Sequence, residues 1–279
     1  MKPVVAHGLS KTFGSFVAVE RVDLEIAPGE VVGLVGANGA GKTTLIRMIL
    51  GLLAPTAGRI RLFGEPHSRE LRRRIGYVPQ SLGLYRDLTA AENLEFRQST
   101  FETSGRVSRE FEQESLVGDL PLGTHRRAAF AAATQHDPEL LILDEPTSGV
   151  SPLSRTLLWD LIRSRAESGV AVLVSTHYMD EAEQADRLVL MSRGRVAVAG
   201  LLDDVIGNRR VVEVRAERWA DAFAALDHDG RPLTLAGTNV RVIGESSASV
   251  AAELDAAGVA AAVRSVPATI DEAMVVIDA

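Results

Sequence analysis

The sequence predicts an α/β fold with a buried, mostly parallel sheet, a strand-rich start, a mostly helical stretch over 65–135 and a small C-terminal α+β domain. Three observations carry that expectation. Residues 36–44 read Gly-Ala-Asn-Gly-Ala-Gly-Lys-Thr-Thr, a glycine-rich loop directly after the apolar run Val31–Val35. A second aliphatic run, Leu140–Leu143, ends in Asp144-Glu145. Between and after them, near-continuous aliphatic stretches alternate with helical patterns, as in a parallel sheet covered on both faces.

Taken in order, Val4–Leu9, Val17–Ile26, Val31–Val35 and Arg59–Phe63 read as strands. The helix Lys42–Leu52 interrupts them, with Leu45, Ile46, Ile49 and Leu52 at helical spacing. Residues 65–135 are less apolar and read as mostly helical. Strand Leu140–Leu143, helix Pro152–Ser168, strand Val170–Ser175 and a short helix near Tyr178–Ala185 follow. Leu188–Met191 and Arg195–Val198 flank Arg193-Gly194 as a closing hairpin. A break near Gly207-Asn208 divides an expected domain 1–208 from an expected domain 209–279. In the latter, Val211–Val214, Leu233–Leu235, Val240–Val242 and Ala261–Val263 are strands, and helices lie around Trp219–Leu226 and Ala248–Ala257.

Composition narrows the function classes. The net charge of −7 disfavours a general affinity for nucleic acid. The chain has no Cys, which excludes disulfides and thiolate metal sites. No run of eighteen apolar residues and no charged-then-apolar leader is present, so a membrane is expected to be reached only through a partner. Of the 30 basic residues only Lys2, Lys11 and Lys42 are lysines, and one of them lies in the glycine-rich loop.

A strand feeding a tight glycine loop that opens a helix turns backbone N–H groups around a polyphosphate. Gly36, Ala37, Asn38, Gly39, Ala40, Gly41, Lys42, Thr43 and Thr44 are therefore the expected nucleotide-binding residues, Lys42 reaching the β- and γ-phosphates and Thr43 holding Mg²⁺. Asp144 and Glu145 emerge at the C-terminal tip of a buried strand, where ligands bind in open α/β sheets. Asp144 is expected on the metal, and Glu145 as the base that polarises attacking water. His177 ends the apolar strand through Val174 and offers an imidazole to the γ-phosphate and the water. Gln80, in Tyr77-Val78-Pro79-Gln80, offers an amide to the metal shell.

With those motifs in that order, the sequence resembles the ATP-binding subunits of ABC transporters, specifically those serving ABC-2 exporters of drug or polysaccharide efflux. The likeness runs from about Val4 to Asp204. It includes Lys11-Thr12-Phe13-Gly14, the phosphate loop, Gln80, Asp144-Glu145, Pro146-Thr147-Ser148-Gly149, and Ser175-Thr176-His177 with Tyr178-Met179-Asp180-Glu181-Ala182-Glu183 behind it. The resemblance implies the P-loop NTPase (ABC ATPase) fold with a mostly parallel core sheet, an antiparallel β subdomain and a shortened helical subdomain, ATP and Mg²⁺ as ligands, and Phe13 stacked on adenine. It also implies hydrolysis coupled to efflux, with Glu145, His177 and Gln80 catalytic and Thr43, Gln80 and Asp144 on the metal. The implied partners are an ABC-2 membrane permease and a second nucleotide-binding domain, at the cytoplasmic face of the cell membrane.

The departures from the family pattern concern the surface offered to the second domain. Where the family carries a Leu-Ser-Gly-Gly-Gln signature, this chain has Leu120-Pro121-Leu122-Gly123-Thr124-His125-Arg126-Arg127. Pro121 removes a hydroxyl and a backbone N–H. Gly123, Thr124 and Arg126 remain as the expected contacts to ATP on the opposite subunit. Ser151 stands where Asp is usual, and the span from Gln80 to Leu120 is shorter than the pattern, so the helical subdomain is expected to be shortened. These changes imply a heterodimer or tandem-like pair. The alternative function is a nucleotide-binding regulatory subunit with weak catalysis. A soluble ATPase acting on DNA or ribosomes would bring a tandem second domain, a long coiled coil or basic tails, and the sequence shows none of these. The stretch Val266-Pro267-Ala268-Thr269-Ile270-Asp271-Glu272-Ala273 loosely matches the closing motif of the accessory domain found on many ABC-2 ATPases.

Overall fold

The structure is a computed structural model and describes residues 1–102, 111, 114–228 and 230–278. It divides into two compact units, Met1–Ala199 and Gly200–Ala279.

The first unit opens with an antiparallel sheet in the order β2-β1-β4, formed by β1 (Val4–Phe13), β2 (Phe16–Ile26) and β4 (Ala57–Leu62). The core sheet has six strands in the order β5-β6-β7-β3-β8-β9. These are β3 (Val31–Val35), β5 (Ile75–Val78), β6 (Leu140–Asp144), β7 (Ala171–Thr176), β8 (Arg187–Ser192) and β9 (Arg195–Gly200). Pairing is parallel from β5 through β6, β7 and β3 to β8. Arg193 and Gly194, both at positive φ, turn β8 into β9.

Both faces of the core sheet are covered, which is why its strands read as unbroken aliphatic runs. Leu140 and Ile142 join one cluster with Leu45, Ile46, Met48 and Ile49 of α1 (Lys42–Ile49) and the inward residues of β1 and β2. Leu141 and Leu143 point the other way, onto Ala129, Phe130 and Ala133 of α4 (Leu122–Thr134) and Leu158, Trp159 and Ile162 of α5 (Pro152–Glu167). The helix α1 is thus enclosed between two sheets, and the loop preceding it is held at a fixed height above the strand tips.

Within residues 65–135, expected to be mostly helical, Ile75–Val78 is instead a strand. Its pairing with β6, Ile75 against Leu140 and Val78 against Leu143, sets the register that brings Gln80 beside the β6 tip. Helices α2 (Arg69–Arg72) and α3 (Ala90–Phe101) lie in this region with α4, α3 opened by a capping box in which Thr89 and Glu92 satisfy each other's backbone N–H. The short α6 (Met179–Ala182) follows β7.

The second unit is a split β-α-β arrangement in the chain order βαββαβ. Strands β10 (Val211–Ala216), β11 (Leu233–Ala236), β12 (Asn239–Ile243) and β13 (Ala261–Val266) form an antiparallel sheet in the order β11-β12-β10-β13. Helices α8 (Trp219–Leu226) and α9 (Ser247–Ala256) bury Ala222, Leu226, Val250 and Leu254 against Val212, Val214, Val240 and Val242. The division at Ala199/Gly200 falls earlier than the 208/209 boundary expected from the sequence. The helix α7 (Leu202–Ile206) joins the second unit because Ile206 packs in a cluster with Val211, Ile243 and Val275.

The stretch around Thr269 carries a helix the sequence did not announce, α10 (Ile270–Asp278). Thr269 N–H donates to Glu272 Oε2 at 2.6 Å, and the same buried carboxylate pairs with Arg241 Nε of β12 at 2.5 Å. Arg241 Nη2 also donates to Pro267 O at 2.8 Å. The motif's polar residues therefore cap a helix and fix it to the sheet.

Candidate functional site: a phosphate loop beside two carboxylates

The loop 36–41 leaves β3 and enters α1 at Gly41, whose φ is +103°. A Cβ at Gly41 would lie 2.5 Å from Ala18 O, and one at Gly36 would lie 2.3 Å from Met191 O. Only glycine lets the backbone curl this tightly under β2 and β8. No side chain caps the helix, so its first N–H groups stay available to an anion.

Lys42 is 5% exposed and folds back over the loop, donating to Gly36 O at 2.6 Å and Ala37 O at 3.1 Å. Burial pushes its ammonium below the usual lysine range, and the charges of Glu145 and Asp144 oppose that shift. Asn38, Gly39, Gly41, Lys42, Thr43 and Thr44 line a cavity of about 640 Å³ together with Phe16, Ala18, Gln80, Glu145, Ser148 and His177. Ala40 is buried beneath the loop, in the cluster that holds α1.

The parallel register delivers the carboxylates to this cavity. Asp144 pairs with Ser175, and Val35 with Thr176, so β6, β7 and β3 end at one edge. Asp144 Oδ1 accepts from Ser175 Oγ at 2.6 Å and lies 3.4 Å from Thr43 Oγ1. Glu145, with φ +51°, breaks the strand, and its N–H donates to Ser175 Oγ at 3.0 Å. Its carboxylate accepts from Gln80 Nε2 at 3.1 Å and stands 3.4 Å from His177 Nδ1 and 4.0 Å from Lys42 Nζ. Residues from β3–α1, β5, β6 and β7, far apart in sequence, thus meet around one carboxylate. Behind His177, Thr176 Oγ1 donates to the buried Glu181 at 2.8 Å, and Arg155 of α5 pairs with Glu181 at 3.1 Å and Asp180 at 2.8 Å, fixing the turn after β7.

Other expected residues lie differently. Phe13 is half exposed at the end of the β1–β2 hairpin opposite Phe16, and it is Phe16 that lines the cavity. Gly123 and Thr124 lie in the first turn of α4, outside the cavity lining, with Pro121 as the N-cap residue and Leu122 exposed. Arg126, expected to face a second subunit, is 6% exposed and turns inward, where its Nη2 donates to Ser148 O of its own chain at 2.9 Å. Ser151 caps α5, its Oγ accepting from Ser154 N–H at 3.3 Å. Sequence reasoning quoted Ser148 and Ser175 only as members of longer motifs, with no role of their own, and did not single out Phe16 or Ala18. Ser175 could have been found from its place two residues before His177 on a strand parallel to β6.

Comparisons with known proteins give the family and the fold. Residues 19–148 match the model of the ABC transporter family. The chain is 39% identical over 241 residues to the probable multidrug ABC transporter ATP-binding protein YbhF of Escherichia coli K12, covering 81% of this chain and 42% of that protein. It therefore spans about two-fifths of the length of that relative. It is also 39% identical over 221 residues to the Nod factor export ATP-binding protein I of Cupriavidus metallidurans, covering 72% of this chain and 73% of that one. Among solved structures, an ATP-binding subunit of an ABC transporter superposes with a TM-score of 0.64 at 29% identity, over 72% of this chain and 91% of the other. A dimeric post-hydrolysis ATP-binding cassette, MJ0796 with ADP and Pi, superposes with a TM-score of 0.63 at 27% identity, over 71% and 98%. At 39% identity over nearly three-quarters of a Nod factor export ATP-binding protein, the chain belongs to the ABC transporter family.

Proposed function

We propose that this chain binds and hydrolyses ATP as the ATP-binding subunit of an ABC-2-type exporter. The observation that carries the reading is the meeting of Lys42, Thr43, Gln80, Glu145 and His177 on one cavity at the mouth of the loop. The loop amides and Lys42 Nζ hold the β- and γ-phosphates, replacing the hydration of a polyanion by preorganised donors. Phe16, with Phe13 across the hairpin, offers apolar surface to the adenine ring.

Among the described residues no three His, Cys, Asp or Glu side chains gather as a metal site. A Mg²⁺ ion carried in with ATP needs fewer protein ligands, and the hard oxygens of Thr43, Asp144 and Gln80 suit it. It would supply charge neutralisation on the β- and γ-phosphates. Glu145 takes a proton from water as the water oxygen bonds to the γ-phosphorus and the bond to the ADP oxygen breaks. His177 and Gln80, both beside Glu145, orient that water and the γ-phosphate oxygens.

Among the described residues no helix is long and apolar enough to cross a membrane. The proposed placement is at the cytoplasmic face of the membrane, against a permease that takes up the motion. Two such cassettes close on ATP and reopen after hydrolysis, the nucleotide biasing a two-state element. Pro121, Leu122 and Ser151 favour a partner cassette of different sequence, one that supplies the conventional signature opposite Lys42. The test is steady-state turnover of the wild type against Glu145→Gln. A regulatory, weakly catalytic subunit would show the same low rate for both, and that result would remove the enzymatic reading.

A further inference from the structure

We propose that Arg126 is a positioning residue acting within its own chain, tying the first turns of α4 to the Glu145–Ser151 loop so that helix and carboxylate shift as one body. This rests on the reading of Glu145 as the base in ATP hydrolysis.

Four observations on the α4 side of the loop lead there. The first is the direct bond from Arg126 Nη2 to Ser148 O at 2.9 Å, made by a guanidinium that is 6% exposed. The second is what the loop lacks: its internal bonds, Ser148 N–H to Glu145 O and Val150 N–H to Thr147 O, are both 3.3 Å long. A charge-assisted bond from outside is therefore the strongest restraint on Ser148. The third is the absence of slack. A Cβ at Gly123 would lie 2.5 Å from Ser154 Oγ, and one at Gly149 would lie 3.1 Å from Leu122 Cδ2, so the start of α4 rests on the loop at Gly149 and on the first turn of α5 that follows it.

The fourth is that the guanidinium is poorly served where it sits. Its Nε and Nη1 are buried with no hydrogen-bond partner among the described residues. Burial pushes its pKa down, and the one charge acting against that shift is Glu145. Methionine or leucine of similar volume would fill the same buried position at less cost. What arginine adds is a directed bond to the loop and a fixed positive charge near the carboxylate. The helix whose N-terminal turn carries Pro121, Leu122 and Gly123 is thereby mechanically linked to the group that acts on water.

The experiment uses the full chain with Arg126→Met and Arg126→Lys. For Arg126→Met, kcat for ATP hydrolysis is expected to fall about ten- to a hundredfold, the range for displaced catalytic groups. KM and the affinity for a fluorescent ATP analogue with Mg²⁺ should stay within about twofold, because the residue does not line the cavity. Arg126→Lys keeps one charged donor and should recover part of kcat. Amide exchange over residues 145–150, read without nucleotide, should rise in Arg126→Met and not in Arg126→Lys. Unchanged exchange and kcat in Arg126→Met would overturn the proposal, as would a loss of nucleotide affinity matching the loss of kcat. A wild type with no hydrolysis at all would remove the enzymatic reading alone, leaving the exchange measurement to decide on Arg126.

Discussion

Replacing Ser175 by alanine removes a single atom from the point where β6 and β7 hold the two carboxylates. Ser175 is fully buried, donates to Asp144 Oδ1 at 2.6 Å and accepts from Glu145 N–H at 3.0 Å. Alanine fits the space without strain, so the cost comes from hydrogen bonds rather than packing. Glu145 N–H keeps a second acceptor, Ser175 O at 3.2 Å. Among the described residues, Asp144 Oδ1 then keeps only Thr43 Oγ1 at 3.4 Å, too far to replace the lost donor. A buried bond to a charged group contributes about 1.5–3 kcal/mol. For a unit of this size a loss near 2 kcal/mol corresponds to a fall of about 4–8 °C in the unfolding midpoint. The assays are thermal unfolding for the midpoint and urea unfolding for the free energy, each followed by tryptophan fluorescence. The chain has two tryptophans, buried Trp159 in the first unit and Trp219 in the second, so a Trp219→Phe background reports the first unit alone. A loss below about 0.5 kcal/mol would show that Ser175 does not hold Asp144 as described.

Two further outcomes are expected. Glu145→Gln keeps the shape and an acceptor for Gln80 but loses the base, so turnover should fall by about 10²–10⁴ with nucleotide affinity retained; an unchanged rate would contradict the assignment. In the second unit, the hydrogen bond from Arg264 holds the Glu213 carboxyl below the usual carboxylate range, with burial opposing and the Arg264 and Arg215 charges assisting. Stability from this group is therefore present above the unfolded carboxylate pKa and is lost as pH falls through the lower folded value. Unfolding followed at Trp219 in a Trp159→Phe background should show stability falling below about pH 4, and Glu213→Gln should flatten that fall. An identical pH profile for the variant would exclude the link.

Much of the cassette was legible in the sequence because its elements are extreme cases. A strand buried on both faces must be aliphatic throughout, so β3, β6 and β7 stand out, and the residues at their tips follow from chain order. The strand Ile75–Val78 is four residues long, lies after the Arg72-Arg73-Arg74 run and includes a Gly, so no local pattern separates it from its helical surroundings. Ser175 became visible only through pairing, since its role depends on which residue of β6 lies beside it. The direction of Arg126 depends on the rotational phase of α4, which is set where the helix begins after Pro121 and not by the charge of the residue. The helix α10 was hidden for a similar reason: Thr269 and Glu272 form a cap, but Pro267 two residues earlier reads as a break.

The most direct measurement is equilibrium titration of the full chain with a fluorescent ATP analogue and Mg²⁺, wild type beside Lys42→Ala. Saturable binding to the wild type, weakened more than about tenfold in Lys42→Ala, is the expected result for a buried ammonium that closes the phosphate cage. Equal affinity for both proteins would contradict it.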